Sequence, residues 1–276
     1  MRFSDWLPEA VRPILALLLS SIQDVLGDQL VGLYLYGSLS SGDFDPTSSD
    51  VDFLAVTREA ITENDPAFEQ LREMHERIAA SGLPFADHLE GSYISQAGWR
   101  RYDPATAWHP NWHPIIGSDR PFTLGFHDAN WVIERAIVRE RGVVLYGLPP
   151  ETLIDPVSPQ QLRDATCQQL ADVWQPRIED EYDHWPRPRE FPAFAVLTLC
   201  RALYTLQRGA FCSKPVAAAW AAQTHPKWEP VIAWAQAHRA DDEETTPAEF
   251  ARVIAMLREA IAEAQRFCKA TIHRSC

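Results

Sequence analysis

The segment Val31-Gly32-Leu33-Tyr34-Leu35-Tyr36-Gly37-Ser38-Leu39-Ser40-Ser41-Gly42, followed after a short polar stretch by Ser48-Ser49-Asp50-Val51-Asp52-Phe53-Leu54-Ala55-Val56, decides how this chain is read. Val31 to Tyr36 is β-branched and aromatic, which predicts a short buried strand. Gly37 to Ser49 is rich in Ser, Gly, Asp and Pro and predicts a loop. Asp50 to Val56 resumes strand character. Asp50 and Asp52 are two apart on that strand, so their side chains project from one face. Two carboxylates held that close repel, a cost that a hard dication between them offsets. Mg2+ fits, because it takes one or two carboxylates and completes its shell with water and phosphate oxygens. Gly37-Ser38, just after the first strand, supplies backbone N–H groups and a hydroxyl suited to cradling phosphate. A D-x-D pair alone would read first as a surface turn. The full order of glycine, serine and paired acids between two apolar strands points instead to a triphosphate held on Mg2+.

Working outward, residues 8–26 predict a helix with Pro8 in its first turn and Gly27 beyond its end. A charged helix is expected from about Pro66 to Ala80, stopped by Gly82 and Pro84, and a third strand from His88 to Ile94. The first third is thus α-β-β-α-β, an α/β unit with a mixed sheet and flanking helices. Arg101 to Arg120, rich in Trp, His and Pro, shows no period and reads as a long loop. Asp128 to Arg141 is amphipathic and stops at Gly142. Pro149 to Pro159 is proline-rich and reads as a connection, placing one domain at residues 1–155 and a second at 156–276. The second is all-α, a helical bundle with helices expected at about 159–182, 192–208, 214–223, 228–238 and 247–270. The last opens with Thr246-Pro247-Ala248-Glu249, a capping box.

The chain has 276 residues, 46% apolar and 23% charged, ordinary globular stock that argues against disorder. Its 38 acidic and 25 basic residues give a net charge of −13. That balance argues against general nucleic-acid binding, which needs clustered Lys and Arg, and permits a cationic partner. The five cysteines are odd in number, and Cys167, Cys200, Cys212, Cys268 and Cys276 form no C-x-x-C pair. Reduced cytosolic thiols are the expectation. The apolar run Ile14 to Leu19 is too short to span a bilayer, so a soluble, cytoplasmic protein without a membrane partner is expected. Nothing in the sequence sets the oligomeric state.

The motif h-G-S-x-x-x-G followed by S-D-h-D, present here as Tyr36-Gly37-Ser38…Gly42 and Ser49-Asp50-Val51-Asp52, resembles the polymerase-β superfamily of nucleotidyltransferases. The resemblance implies transfer of a nucleotide from an NTP's α-phosphate to an acceptor hydroxyl, with release of pyrophosphate. It implies Asp50 and Asp52 as catalytic metal ligands, and Gly37, Ser38 and Ser49 in the nucleotide cradle. A third carboxylate on a neighbouring strand is expected, and Glu90 in His88-Leu89-Glu90-Gly91 matches it, as a metal ligand or as the base that accepts the hydroxyl proton. Asp87 competes, but its parity puts it on the opposite face.

The C-terminal half carries a closer resemblance. Val196-Leu197-Thr198-Leu199-Cys200-Arg201-Ala202-Leu203-Tyr204, Gly209, and Ser213-Lys214-Pro215-Val216-Ala217-Ala218-Ala219-Trp220 are similar to the helical domain of the streptomycin/spectinomycin adenylyltransferases. That implies ATP as donor and an aminoglycoside as acceptor, with Arg201 and Lys214 reaching the phosphates. Two cations opposite the dication would offset charge building on the leaving pyrophosphate. The chain departs from the family in two places. Phe191 and Pro192 stand where an acidic pair grips the drug's ammonium groups, and about Ala240 stands where a tyrosine meets the nucleotide.

Other acceptor contacts are therefore weighed. Glu179-Asp180-Glu181-Tyr182-Asp183-His184-Trp185 concentrates carboxylates and aromatics, and Asp183 and Trp185 would suit a polyamine-like sugar. Trp108 and Trp112, flanked by His109 and His113, would form a stacking wall. Asp128 is expected to cap the helix that follows it. Two alternatives stand beside the antibiotic reading: the same chemistry on another small-molecule or protein hydroxyl, and a non-catalytic nucleotide-binding module.

Overall fold

The computed structural model describes residues 7–113, 121–179, 185 and 188–272. The chain divides into two compact units, Met1–Pro156 and Val157–Cys276.

In the first unit a single sheet of six strands is built from β1 (Leu30–Leu35), β2 (Val51–Thr57), β3 (Leu89–Ser95), β4 (Trp108–Trp112), β5 (Phe122–Phe126) and β6 (Val143–Gly147). They lie in the order β5-β4-β3-β2-β1-β6. β2 and β3 run parallel, and the other neighbours are antiparallel. The expected mixed sheet is thus present. Alternation sorts its side chains: Leu33, Leu35, Phe53, Ala55 and Tyr93 enter one core with α1 (Arg12–Leu26) and α3 (Pro66–Ala79). Tyr34, Leu54, Val56 and Ile94 enter the other core, which also takes Trp99 from α4 (Gln96–Arg100) and Val138 from α5 (Asn130–Arg141). By length and composition Glu9–Gln29 could cross a membrane, a wider span than the apolar run suggested, with mean hydropathy 1.4. Its Ile14, Leu15, Leu18 and Ile22 are spent instead in the first core.

Several expectations are corrected here. Residues 37–49 are not all loop: Gly37–Ser41 forms a short helix, α2, ended at Gly42 in the left-handed region. The stretch read as a long loop contains β4, and β5 and β6 extend the sheet beyond the strands that were expected. β4 lacks apolar alternation, yet five successive residues pair with β5, from Trp108↔Phe126 to Trp112↔Phe122. Tertiary pairing overrides weak local preference there.

The second unit is all-helical, as expected: α6 (Pro159–Gln169), a π-helical turn (Leu170–Trp174), α7 (Gln175–Glu179), α8 (Glu190–Arg208), α9 (Lys214–Thr224), α10 (Glu229–Ala237) and α11 (Pro247–Ile272). α8 is its central element, burying Val196, Leu197, Leu199, Cys200, Leu203 and Leu206. The capping box of α11 forms: Thr246 N donates to Glu249 Oε2 at 2.8 Å, and Glu249 N donates to Thr246 Oγ1 at 3.3 Å.

The expectation of reduced thiols is also corrected. Cys167 on α6 and Cys268 on α11 form a disulfide, with Cα atoms 5.9 Å apart at a sequence separation of 101. Helix packing brings them together, and no spacing motif encodes it. Cys200 and Cys212 are buried and take no part in that disulfide, and burial pushes the Cys200 thiol up to about 12. Closing so long a loop restricts the unfolded chain, so reduction is expected to cost about 2–4 kcal/mol of stability. Melting with and without reductant, beside Cys167→Ser, measures it. Equal melting temperatures would show the bond contributes nothing.

Candidate active site

The turn from β1 into α2 admits one residue type. Gly37 has φ +61°, and a Cβ there would lie 1.9 Å from Asp52 Oδ2. The Asp52 carboxylate therefore rests against the Gly37 backbone, while Tyr36 N donates to Asp52 O at 3.2 Å. Ser40 and Ser41 hydroxyls both turn back to Gly37 O at 3.1 Å. Ser38 Oγ does otherwise: it is buried and meets no hydrogen-bond partner among the described residues. An unmet buried hydroxyl beside a carboxylate and a glycine turn fits a bound phosphate better than a closed turn. Ser49 acts on the loop, its Oγ accepting from Asp45 N at 3.0 Å and its N donating to Asp45 O at 2.9 Å. Those bonds fix the entry into β2.

The acids come next. In the parallel β2–β3 pair, Asp52 is the direct partner of Glu90. Parity then puts both on the face shared with Leu54, Val56 and Ile94. Asp50, one step earlier on that face, is half-exposed and its Oδ1 lies 3.3 Å from His88 Nδ1. Glu90 Oε2 lies 3.7 Å from His113 Nδ1. Among the described residues no three His, Cys, Asp or Glu side chains converge into a group that could hold a metal. Asp50, Asp52 and Glu90 are thus not drawn into one three-carboxylate cage, since Asp50 turns to His88 and Glu90 to His113. Asp52 and Glu90 nonetheless remain direct register partners on one face of the sheet.

Tyr36 is the residue the sequence reading used only as a strand end and as the apolar position before Gly37-Ser38. Its phenol is held well above its usual range by burial first, then by the charges of Asp52, Glu134 and Glu90. Glu134, on α5, is a further acid of this neighbourhood, and no sequence motif marked it. One row along the same sheet face, Asn111 Oδ1 accepts from the Ser92 hydroxyl and meets His127 Nε2 at 2.8 Å. Burial, with neighbouring cationic groups, pushes His127 down to about 2 and His109 down to about 4, so both rings are neutral. They brace the floor of the face. Asp128 does not cap α5 as expected: the N-cap is Ala129, and Asp128 stands one residue earlier, its Oδ1 accepting from Asn130 N at 2.8 Å.

The acceptor wall fares differently. Trp112 is 2% exposed and its ring stacks on His75 at 4.8 Å, in the core on the opposite face of the sheet. Trp185 is 7% exposed, donates from Nε1 to Arg177 O at 2.9 Å and packs edge-on to Phe250. Neither offers a free ring face, so both substrate assignments are corrected to core packing. Trp108 is exposed but pairs with Phe126. Asp183 lies outside the described residues. In the helical unit, Arg201 is half-buried on α8, and Lys214 Nζ at the start of α9 lies 4.2 Å from the Phe194 ring centroid. Phe191, where the family has an acid, is exposed.

Comparison with known proteins adds the class. Residues 19–85 match the nucleotidyltransferase domain, and residues 152–264 match the C-terminal domain of aminoglycoside adenylyltransferase. The chain is therefore an enzyme, a nucleotidyltransferase. More narrowly, it is of the aminoglycoside adenylyltransferase-like kind. The solved spectinomycin adenyltransferase AAD(9) from Enterococcus faecialis, with ATP and spectinomycin, shares the fold at a TM-score of 0.69 and 19% identity, over 91% of this chain and 98% of that one.

Proposed function

We propose that this enzyme adenylylates a hydroxyl of an aminoglycoside-like acceptor, using ATP and Mg2+ and releasing pyrophosphate. One observation carries the reading: Asp52 stands in register with Glu90 while its carboxylate touches the Gly37 turn. Charge, base and phosphate cradle are thereby adjacent. The acceptor oxygen attacks the α-phosphorus, the bond to the bridging oxygen of the pyrophosphate breaks, and the hydroxyl proton passes to Glu90. Ser38 Oγ donates to the triphosphate, and Gly37 lets the backbone approach it. Asp50 and Asp52 would hold Mg2+, which when bound supplies Lewis-acid stabilisation of phosphate charge. Arg201 and Lys214 take the leaving pyrophosphate's charge. The acceptor class is supported by spectinomycin in the AAD(9) structure and by the acidic charge of this chain. Such a modification would confer antibiotic resistance, and ATP as donor sets the reaction in the cytoplasm, where Cys167–Cys268 would stand against the prevailing reducing poise.

A second reading keeps the chemistry and changes the acceptor, to another small molecule or a protein hydroxyl. Exposed Phe191 in place of an acid favours it. Purified protein with ATP, Mg2+ and an aminoglycoside panel separates the two. Pyrophosphate released with one antibiotic supports the first, and release with none of them removes the drug assignment. Mass spectrometry for AMP-modified products then tests the second.

A further inference from the structure

β3 and β4 pair antiparallel, with Gly91 opposite Trp112 and Ser92 opposite Asn111. One further step of that register sets Glu90 opposite His113, on the face that carries Ser92 and Asn111. Directly opposed side chains on such a face meet. In the neighbouring row they do: the Ser92 hydroxyl donates to Asn111 Oδ1. Asn111 is fixed further by His127 Nε2 at 2.8 Å and by its own Nδ2, which donates to His109 O at 2.9 Å. The Glu90–His113 row stands beside that braced one. His113 N donates to Pro121 O at 2.9 Å, so its backbone is held, and its Nδ1 lies 3.7 Å from Glu90 Oε2. His109 and His127 are buried, whereas the His113 side chain is half-exposed, so replacing it opens no cavity in the core.

We propose that His113 is a positioning residue for the base: its Nδ1–H holds Glu90 Oε2 and leaves Oε1 to face the acceptor hydroxyl. The inference rests on the reading of Glu90 as base given above. An untethered glutamate samples several rotamers and spends part of its time turned away from the reacting oxygen. Imidazole suits the task because the neutral ring with its proton on Nδ1 donates without carrying charge. A lysine or arginine there would pair with the carboxylate and weaken it as a base. Catalytic hydrogen bonds are commonly long before substrate arrives and tighten in the loaded complex, as a 3.7 Å contact allows.

Pyrophosphate release by the full chain with ATP, Mg2+ and streptomycin or spectinomycin tests this, beside ATP calorimetry and a thermal melt. His113→Leu lowers kcat about 10-fold, with ATP affinity and melting temperature those of the parent. His113→Asn, which keeps an N–H close to the place of Nδ1, recovers most of that loss. Because the effect runs through Glu90, His113→Leu adds no further loss in a Glu90→Gln background, whereas independent residues would add. Parental kcat in His113→Leu overturns the positioning role alone, as does a loss that Asn does not recover or that persists in Glu90→Gln. A raised acceptor KM with kcat unchanged also overturns it, since the ring then touches the acceptor and not the base. Full turnover in Glu90→Gln overturns the reading of the base, and a parent that releases pyrophosphate with neither antibiotic overturns the acceptor reading, each taking this inference with it.

Discussion

Asp52→Asn is expected to lower nucleotidyl transfer about 1,000-fold, close to 4 kcal/mol of transition-state stabilisation, with little change in melting temperature. Asparagine keeps the side chain's shape, so the contact with the Gly37 backbone and the bond from Tyr36 N to Asp52 O survive. What goes is the negative charge at the point where β2, β3 and the phosphate turn meet. The Asp52 charge adds to the burial that keeps the Tyr36 phenol protonated, and burial, the larger cause, survives the substitution. Asp50→Asn is expected to cost less, since Asp50 is half-exposed and already engaged with His88. Pyrophosphate release at saturating ATP and Mg2+, beside a thermal melt, measures both. An Asp52→Asn enzyme keeping a third or more of its turnover would put the acids away from the reacting phosphorus.

What the sequence shows of this site follows from what the chemistry demands of residue type. β1 and β2 are legible because Tyr34-Leu35 and Phe53-Leu54-Ala55-Val56 are buried on both faces, and continuous apolar character survives in one dimension. The glycine, serine and aspartates are legible because phosphate and a hard cation tolerate few substitutes. The same reading put Asp50 and Asp52 on one face by parity and took Glu90 as the acid of a neighbouring strand, but only the parallel pairing of β2 with β3 makes Asp52 and Glu90 partners. Aromatic residues mislead for a physical reason. A tryptophan buries well in a core and stacks well on a ligand, so Trp112 and Trp185 look alike in sequence in either role. Burial decides, and it comes from elements far off: His75 on α3 covers Trp112, and Phe250 on α11 covers Trp185. β4 and the Cys167–Cys268 bond fail in the same way. Trp-His-Pro-Asn-Trp becomes a strand because Phe122–Phe126 pairs with it, and the cysteines meet because α6 packs on α11. Glu134 carries no motif at all and is visible only through the buried phenol it surrounds.

Glu90→Gln separates the role of base from that of metal ligand. Glu90 is the direct partner of Asp52 across the strands, and its own Oε2 faces His113 Nδ1 at 3.7 Å. Its side chain is 36% exposed, so it is open to an incoming hydroxyl. A carboxylate in that position accepts the acceptor's proton as the oxygen attacks, a contribution of about 100- to 10,000-fold for a positioned general base. Glutamine preserves volume, β3 packing and a polar contact to His113, and removes the capacity to take a proton. The expected result is a fall in kcat of about 1,000-fold with ATP affinity and melting temperature unchanged. The pattern differs from that of a residue binding donor and transition state equally, which would raise KM and spare kcat. Paired measurements of pyrophosphate release and ATP binding in the presence of Mg2+ read the two quantities separately. If ATP affinity falls in step with turnover, Glu90 belongs with Asp50 and Asp52 as a dication ligand. If turnover is untouched, the proton leaves by another route, and the carboxylate nearest the open face of the sheet is not the base.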